Sequence, residues 1–254
     1  MVLIVGALLF GRSLRNLATV DPGFRTDGIL AVGIDLRRSA IDPAARMQAY
    51  TQIVERIRAV PGVMHVAEAF IAPMSGSGWN QNIVIDGQQR DGNVNFNRIG
   101  PDYFKAMETP LVAGRAFGPE DRPGSTPTAI VNESFARAHF GGANPVGRTF
   151  QLVAGMGEAP THYQIVGLVR DTKYGDLREE FSPIGYFPAA HETRVGPGLD
   201  LIVRSDMTLS SLTPTLTRTV REAAPNATVS YDLMSTYIRD SLVTERLMAS
   251  LSLS

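Results

Sequence analysis

IVERIRAVPGVMHVAEA, residues 53–69, and TLTRTVREAAPNATVSYDL, residues 215–233, run in the same order: an amphipathic helix, a proline stop, then a strand. Each is preceded by another extended, aliphatic stretch, at 28–37 and 199–204. In the first copy Asp42 is placed to cap a helix and Pro43 to occupy its first position, where the missing N–H costs nothing. Apolar Met47, Tyr50, Val54 and Ile57 then recur at spacings of three and four until Pro61-Gly62 ends the helix. In the second copy Leu212, Leu216 and Val220 mark the same kind of face over 211–223, and Pro225 precedes a strand at 228–233. Both read as β-α-β units. One such unit cannot bury its own helix and sheet faces, so two distant segments are expected to pack as one α/β sandwich.

The repeat turns everything between the two copies into an insertion. Over 72–197 the pattern is β-rich, with strands at 82–86, 94–99, 128–131, 149–153 and 163–169 joined by Gly- and Pro-containing turns. Two short helices interrupt it, at 102–107 and 133–139; Asn132 caps the second and Gly141-Gly142 closes it. Residues 73–78 and 154–160 read as the mobile loops. The fold class is therefore α+β, a split α/β subdomain carrying a β-rich subdomain.

Composition excludes several functions. With 44% hydrophobic and 19% charged residues and a net charge of -1, the 254-residue chain can bury a core but offers no basic surface for nucleic acid. Without cysteine it has neither disulfides nor a thiolate metal site or nucleophile. His65, His139, His162 and His191 are far apart and contain no i, i+4 pair, so no metal site is expected. Gly76-Ser77-Gly78 lacks the frame of a nucleophile elbow, and residues 155–157 lack the third glycine of a dinucleotide fingerprint. Glu120-Asp121, Asp171 with Asp176, and Glu179-Glu180 fall among basic residues in loops and read as solvated turns; 170–177 (RDTKYGDL) reads as a structural signature. No catalytic residue and no cofactor is expected. Trp79, Met74 and Met156 are apolar residues in loops and are the candidate partner contacts.

The two ends have a different character. Residues 1–11 (MVLIVGALLFG) are an uninterrupted apolar run, too short for the roughly 20 residues a spanning helix needs, and they read as the tail of a span. Arg12 and Arg15 follow the run, whereas a signal peptide carries its charge before it. At the other end, 237–254 has an amphipathic helical pattern in which Ile238 and Leu242 continue one apolar line that begins at Met234, and Leu247 and Leu251 form a second.

Five phrases carry a family resemblance: RSLRNLATVDPGF (12–24), RIGPDYFKAMETPLVAGRAFGPED (98–121), AIVNESFARAHFGGANPVGRTF (129–150), YQIVGLVRDTKYGDL (163–177) and SPIGYFP (182–188). In order and spacing the chain resembles the periplasmic core domain of MacB/FtsX-type ABC-transporter permeases, above all the duplicated orphan permeases of acidobacteria and their relatives. The resemblance implies a porter-like α/β subdomain split in sequence around a β-rich insert, held between membrane helices. It assigns 1–17 to the end of a first transmembrane helix and its stalk, 18–71 and 198–234 to the two halves of the porter-like subdomain, 72–197 to the insert, and 235–254 to a stalk returning to the membrane. It implies a non-catalytic domain in the bacterial inner membrane, mostly periplasmic. The implied partners are a cognate ATP-binding cassette subunit, a periplasmic adaptor or substrate protein, and a second permease unit. The basic residues Arg12 and Arg15 on the periplasmic side run against the positive-inside tendency, a rule judged over all loops of a protein. An extracytoplasmic ligand-binding or sensor module is the alternative, and it would need a ligand-sized cleft between the subdomains.

Overall fold

The computed structural model describes residues 21–153, 160–177, 179–192 and 196–237. The expected membrane-helix tail, most of the second stalk and Met156 lie outside these. Among the described residues no helix is long and apolar enough to cross a membrane.

The first unit is β1 (Ile29–Asp35), a single 3-10 turn over Pro43–Ala45, helix α1 (Arg46–Arg58) and β2 (Val63–Glu68). Asp42 accepts a hydrogen bond from the Ala44 N–H, so it caps the 3-10 turn and α1 itself begins three residues later than its position suggested. The insert supplies β3 (Asn80–Ile85), β4 (Gln88–Ile99), α2 (Tyr103–Met107), β5 (Leu111–Gly114), β6 (Thr128–Asn132), α3 (Glu133–Phe140), β7 (Thr149–Leu152), β8 (His162–Val169) and β9 (Ile184–Pro188). The second unit is β10 (Gly198–Ser205), α4 (Leu209–Ala223) and β11 (Thr228–Leu233).

The two units share one sheet, ordered β11-β1-β10-β2 with every neighbouring pair antiparallel. Each unit leaves a one-strand gap between its parallel strands, and the other unit fills it. This is the ferredoxin-like arrangement of split β-α-β units. Helices α1 and α4 lie together on one face of the sheet. There Ile53 and Ile57 of α1 and Leu216 and Val220 of α4 are fully buried against Leu30, Val32, Ile34, Leu201 and Val203. Burying each such side chain contributes about 1.5–3 kcal/mol. Met47, expected on this buried face, is 37% exposed, and Ile53 takes its place in the core.

The insert is ordered β5-β8-β6-β9-β4-β3-β7, and β7 also pairs with β8. Six strands therefore close into a ring, with β5 continuing the edge of β8 that β7 leaves free. Closure removes the unpaired edges that invite aggregation. Inside the ring Phe96, Phe150 and Phe187 stack with centroids 5.2–6.3 Å apart, and Phe135 of α3 packs on Phe150 at 5.3 Å. Strands β5 and β9 were not anticipated from the sequence, and β4 begins six residues before its expected start at 94.

The second face of the four-stranded sheet packs on the insert. Ile29, Ala31, Ala67, Ala69 and Ile202 from the sheet and Ile99, Tyr103, Phe104, Met107, Ile130, Val169, Ile184 and Tyr186 from the insert belong to one apolar core. The two sheets also touch through backbone: Ala69 bridges Ile99, the Phe70 N–H donates to the Arg98 carbonyl at 2.8 Å, and the Gly100 N–H donates to the Glu68 carbonyl at 2.9 Å. A Cβ at position 100 would sit 3.0 Å from the Glu68 nitrogen and closer still to its carboxylate, so a larger residue there would have to push the Glu68 side chain aside and loosen this approach.

Phe96 is fully buried and central to the ring's stack. Phe96→Ala is expected to cost about 3–5 kcal/mol, read as a fall in the midpoint of denaturant unfolding with an unchanged slope.

Candidate functional site

Of the residues that the sequence singled out, Met74, Trp79, Asp171 and Glu179 gather around one segment near the junction of the two subdomains. Segment 170–177 leaves β8 and runs through this junction. Asp171 accepts from the Ser134 N–H at 2.7 Å and pairs with Arg137, so its carboxylate neutralises the amino end of α3. Beside it Asn132 Oδ1 accepts from Phe135 N and Ile184 N, both at 2.9 Å. The Lys173 N–H donates to the Pro22 carbonyl at 2.8 Å, while its ammonium donates to the Glu179 carbonyl and lies 4.4 Å from the Phe181 ring centroid. Tyr174 donates its hydroxyl to the Phe96 carbonyl at 2.7 Å and accepts from the Trp79 N–H at 3.1 Å. Its own carbonyl receives the Met74 N–H at 3.0 Å. One loop thus ties the entering chain, the inter-subdomain connector, the ring and α3.

These geometries correct the reading of the loop carboxylates. Asp171 and Asp121 are buried rather than solvated. Asp121 receives Arg115 through two bonds, of 2.6 and 3.0 Å, the Gly118 N–H at 2.9 Å and the Thr128 hydroxyl at 2.7 Å. Burial pushes its carboxyl up, but the bonds from Arg115, Gly118 and Thr128 outweigh that and hold it below the ordinary value. Glu179 is likewise engaged, accepting the N–H groups of Tyr174 and Gly175. The phrase GRAFGPED carried the missed signal: Arg115 precedes Asp121 by six residues, the separation of a closed turn.

Met74, expected as an exposed contact, is buried in the shared core with a left-handed backbone at φ 64°. Residues 73–78 are loop as expected, but the 170–177 segment covers their start, which hides Met74. Trp79 is half-buried. It packs on Phe96 at 5.4 Å and Phe187 at 5.7 Å, and its outer side meets the edge of Phe70 at 6.4 Å. The Arg98 guanidinium lies 4.8 Å from the Trp79 centroid and 5.8 Å from that of Phe70, with Glu192 at 3.3 Å. Phe70 itself is 59% exposed. It follows β2 directly and carries no sequence pattern that would have marked it.

Among the described residues no three His, Asp or Glu side chains gather where they could hold a metal ion. The Ser125 hydroxyl lies 3.3 Å from His191 Nε2, yet it donates to the Arg122 carbonyl at 2.7 Å, which closes a turn rather than poising a nucleophile. His139 is lowered, first by burial and then by Arg90, as befits a structural histidine at a helix end.

A split porter-type α/β domain with an inserted β subdomain, several of its buried polar residues spent on holding the two together, is the class these features define. The family model for the MacB-like periplasmic core domain matches residues 1–232. The chain belongs to that family and is the periplasmic domain of a MacB-like ABC-transporter permease. Among solved structures it is similar to the periplasmic region of MacB from Actinobacillus actinomycetemcomitans, with a TM-score of 0.56 at 15% identity over 89% of this chain and 97% of that one. It is also similar to a domain of a protein described as a permease from Porphyromonas gingivalis, with a TM-score of 0.51 at 13% identity over 83% of this chain and 92% of that one. A search of curated protein sequences returned no match. The family is one of transporter domains and not a catalytic one.

Asp121 makes the buried charge of the insert measurable. Its folded carboxyl is held below the ordinary 3.8, so the stability it contributes is present above that pH and is lost as pH falls through the folded value. The melting temperature of the domain is expected to drop on acidification below about pH 4. In Asp121→Asn part of that drop should be missing and the melting temperature at neutral pH should already be lower.

Proposed function

We propose that this domain is the rigid periplasmic lever of a bacterial inner-membrane transporter. In this reading a cognate ATP-binding cassette subunit moves the membrane helices, the stalks carry the motion upward, and the domain delivers it to a periplasmic adaptor or substrate protein without catalysing a reaction itself. Pairing of two permease units in the membrane belongs to the same reading.

One observation carries it. Strand β11 passes directly into a helical turn at 234–237, and Met234, its first residue, is fully buried in the core shared by both sheets. A force applied along that helix is therefore applied to the whole domain. The ligand-binding alternative needs a ligand-sized cleft between the subdomains. Side chains from both subdomains instead fill most of their junction, and the space left there, about 140 Å³, is smaller than the roughly 300 Å³ at which ligand pockets begin, which weighs against it.

A short Gly-Ser linker inserted after Ser235 is expected to leave the domain folded but to abolish ATP-dependent transport by the complete transporter. Transport that survives the insertion would sink the lever reading. Trp79 is retained as a partner contact through its exposed neighbour Phe70 and the partly exposed Arg98, because an aromatic pair under a guanidinium suits a protein surface. A photo-reactive residue in place of Phe70 is expected to cross-link a periplasmic protein, whereas one in the Asp86–Gly87 turn, at the other end of the β3–β4 hairpin, should not. Phe70→Ser should change stability by no more than about 0.5 kcal/mol.

A further inference from the structure

The underside of the four-stranded sheet changes character along β1. At Ile29 and Ala31 it is apolar and packed on the insert. Two residues further, at Gly33, it opens into a chamber of about 140 Å³. Asp200, Ser230 and Asp232 of the strands flanking β1, Ser75 and Ser77 of the connector, and Tyr237 line it. Register explains the convergence, because Gly33 faces Asp200 on β10 and Ser230 on β11, while Ala31 faces Asp232. A Cβ at position 33 would stand 2.5 Å from the Ser230 hydroxyl, so a side chain there would have to displace Ser230 and would occupy the floor of the chamber.

Tyr237 belongs to this chamber and to the shared core at once, since its ring is partly buried against that core. Burial raises its phenol to about 12, with the charge of Asp232, the hydrogen bond to that carboxylate and the charge of Asp200 adding to the shift. The hydroxyl therefore stays protonated as a donor across the physiological range. Met234 is locked three residues earlier. A hydrogen bond from a half-exposed hydroxyl exchanges for one to water with little net change, whereas withdrawing Met234 would forfeit its whole burial.

We propose that this chamber is the joint of the lever: the helix root pivots beyond Met234, and Tyr237 swings within the chamber between its Asp232-bonded seat and a second position. The proposal rests on the lever reading and adds to it where the compliance lies. The strand and connector side chains Asp200, Ser230, Asp232, Ser75 and Ser77 make one side of the chamber short and polar, Phe70, Ile71 and Ala72 of the connector complete its wall, and the space it encloses is what the close-packed apolar junction beside it lacks. Ser75 and Ser77 bring the inter-subdomain connector to the same space, so a movement of the helix root is felt by the segment that leads into the insert.

The test uses the complete permease with its ATP-binding subunit in lipid nanodiscs. These 254 residues contain no cysteine, so thiols introduced in them are labelled selectively once any others in the assembly are replaced. Spin labels at Ser77→Cys and Thr236→Cys straddle the joint, and labels at Gln88→Cys and Thr228→Cys join the two sheets. Between the nucleotide-free and ATP-vanadate states the first distance is expected to shift and the second to stay fixed. A constant first distance overturns the joint, as does a shift in the second, which would place the flexing between the sheets. Tyr237→Phe should broaden the first distribution in the nucleotide-free state at an unchanged melting temperature; an unaltered distribution counts against the proposal. The lever reading is judged separately by the linker insertion. A lever that fails with the linker while the first distance never changes would retain the lever and discard the joint.

Discussion

Everything in this domain follows from a four-stranded sheet that must hide both of its faces. Helices α1 and α4 cover one face, as the periodicity of their sequences requires. They cannot reach the other, where Ile29, Ala31, Ala67, Ala69 and Ile202 point. Three of these five are alanines, so the short helix α2, with Tyr103, Phe104 and Met107, can lie close against them. The insertion is thus the second half of the sheet's burial and not an ornament on it. Apolar area removed from water at about 25 cal/mol per Å² makes such a junction a large fraction of a domain's net stability.

Apolar packing alone would leave the relative setting of the two subdomains loosely specified. The buried polar groups fix it. Asn97 accepts from the Ile71 N–H at 3.0 Å and donates back to its carbonyl at 2.8 Å, which mimics a strand pairing across the connector. Arg204, buried on β10, pairs with Glu108 at the end of α2, where the backbone turns left-handed at φ 51°. Tyr174 and Lys173 make the equivalent bonds from the 170–177 segment. Such groups add little net stability, since each gives up hydration to form its bonds, but a wrong setting would leave them unpaired at full cost. They behave as pins.

The sequence made the pattern-bearing parts legible. Helix period, Pro stop and strand recur in both units, and a unit that cannot bury itself implies its partner. What stayed hidden depends on long-range geometry. Strand β9 is five residues preceded by Pro183 and ending on Pro188, too short and proline-bounded to show as a strand until β4 pairs with it in parallel. The first half of β4 is polar, so only its hairpin with β3 makes it a strand. Asp121 and Asp171 look like any acidic turn, because a caged carboxylate and a solvated one have the same local neighbours in sequence. Trp79 was singled out as an exposed loop residue, but it packs on Phe96 and Phe187 in the core of the β-ring, and the exposed aromatic beside it is Phe70. The family phrases fall on these hidden elements: GRAFGPED holds the Asp121 cage, RDTKYGDL the junction loop and SPIGYFP the concealed strand.

The same physics bears on how force would pass through the domain. A junction filled by aromatic and aliphatic side chains has few alternative packings, since a shift of even an ångström opens gaps that forfeit dispersion contacts. Pins that would be unpaired by sliding stiffen it further. Deformation is then cheapest where the packing is already incomplete and the groups are polar, and the underside of the sheet beyond Ala31 is such a place. There the floor is Gly33, the walls are Asp200, Ser230 and Asp232, and the moving part would be one tyrosine at the root of a helix. A stiff body with one soft corner has its motion directed by that corner. The position of small and polar residues, more than the position of large ones, would then set the axis about which the domain turns.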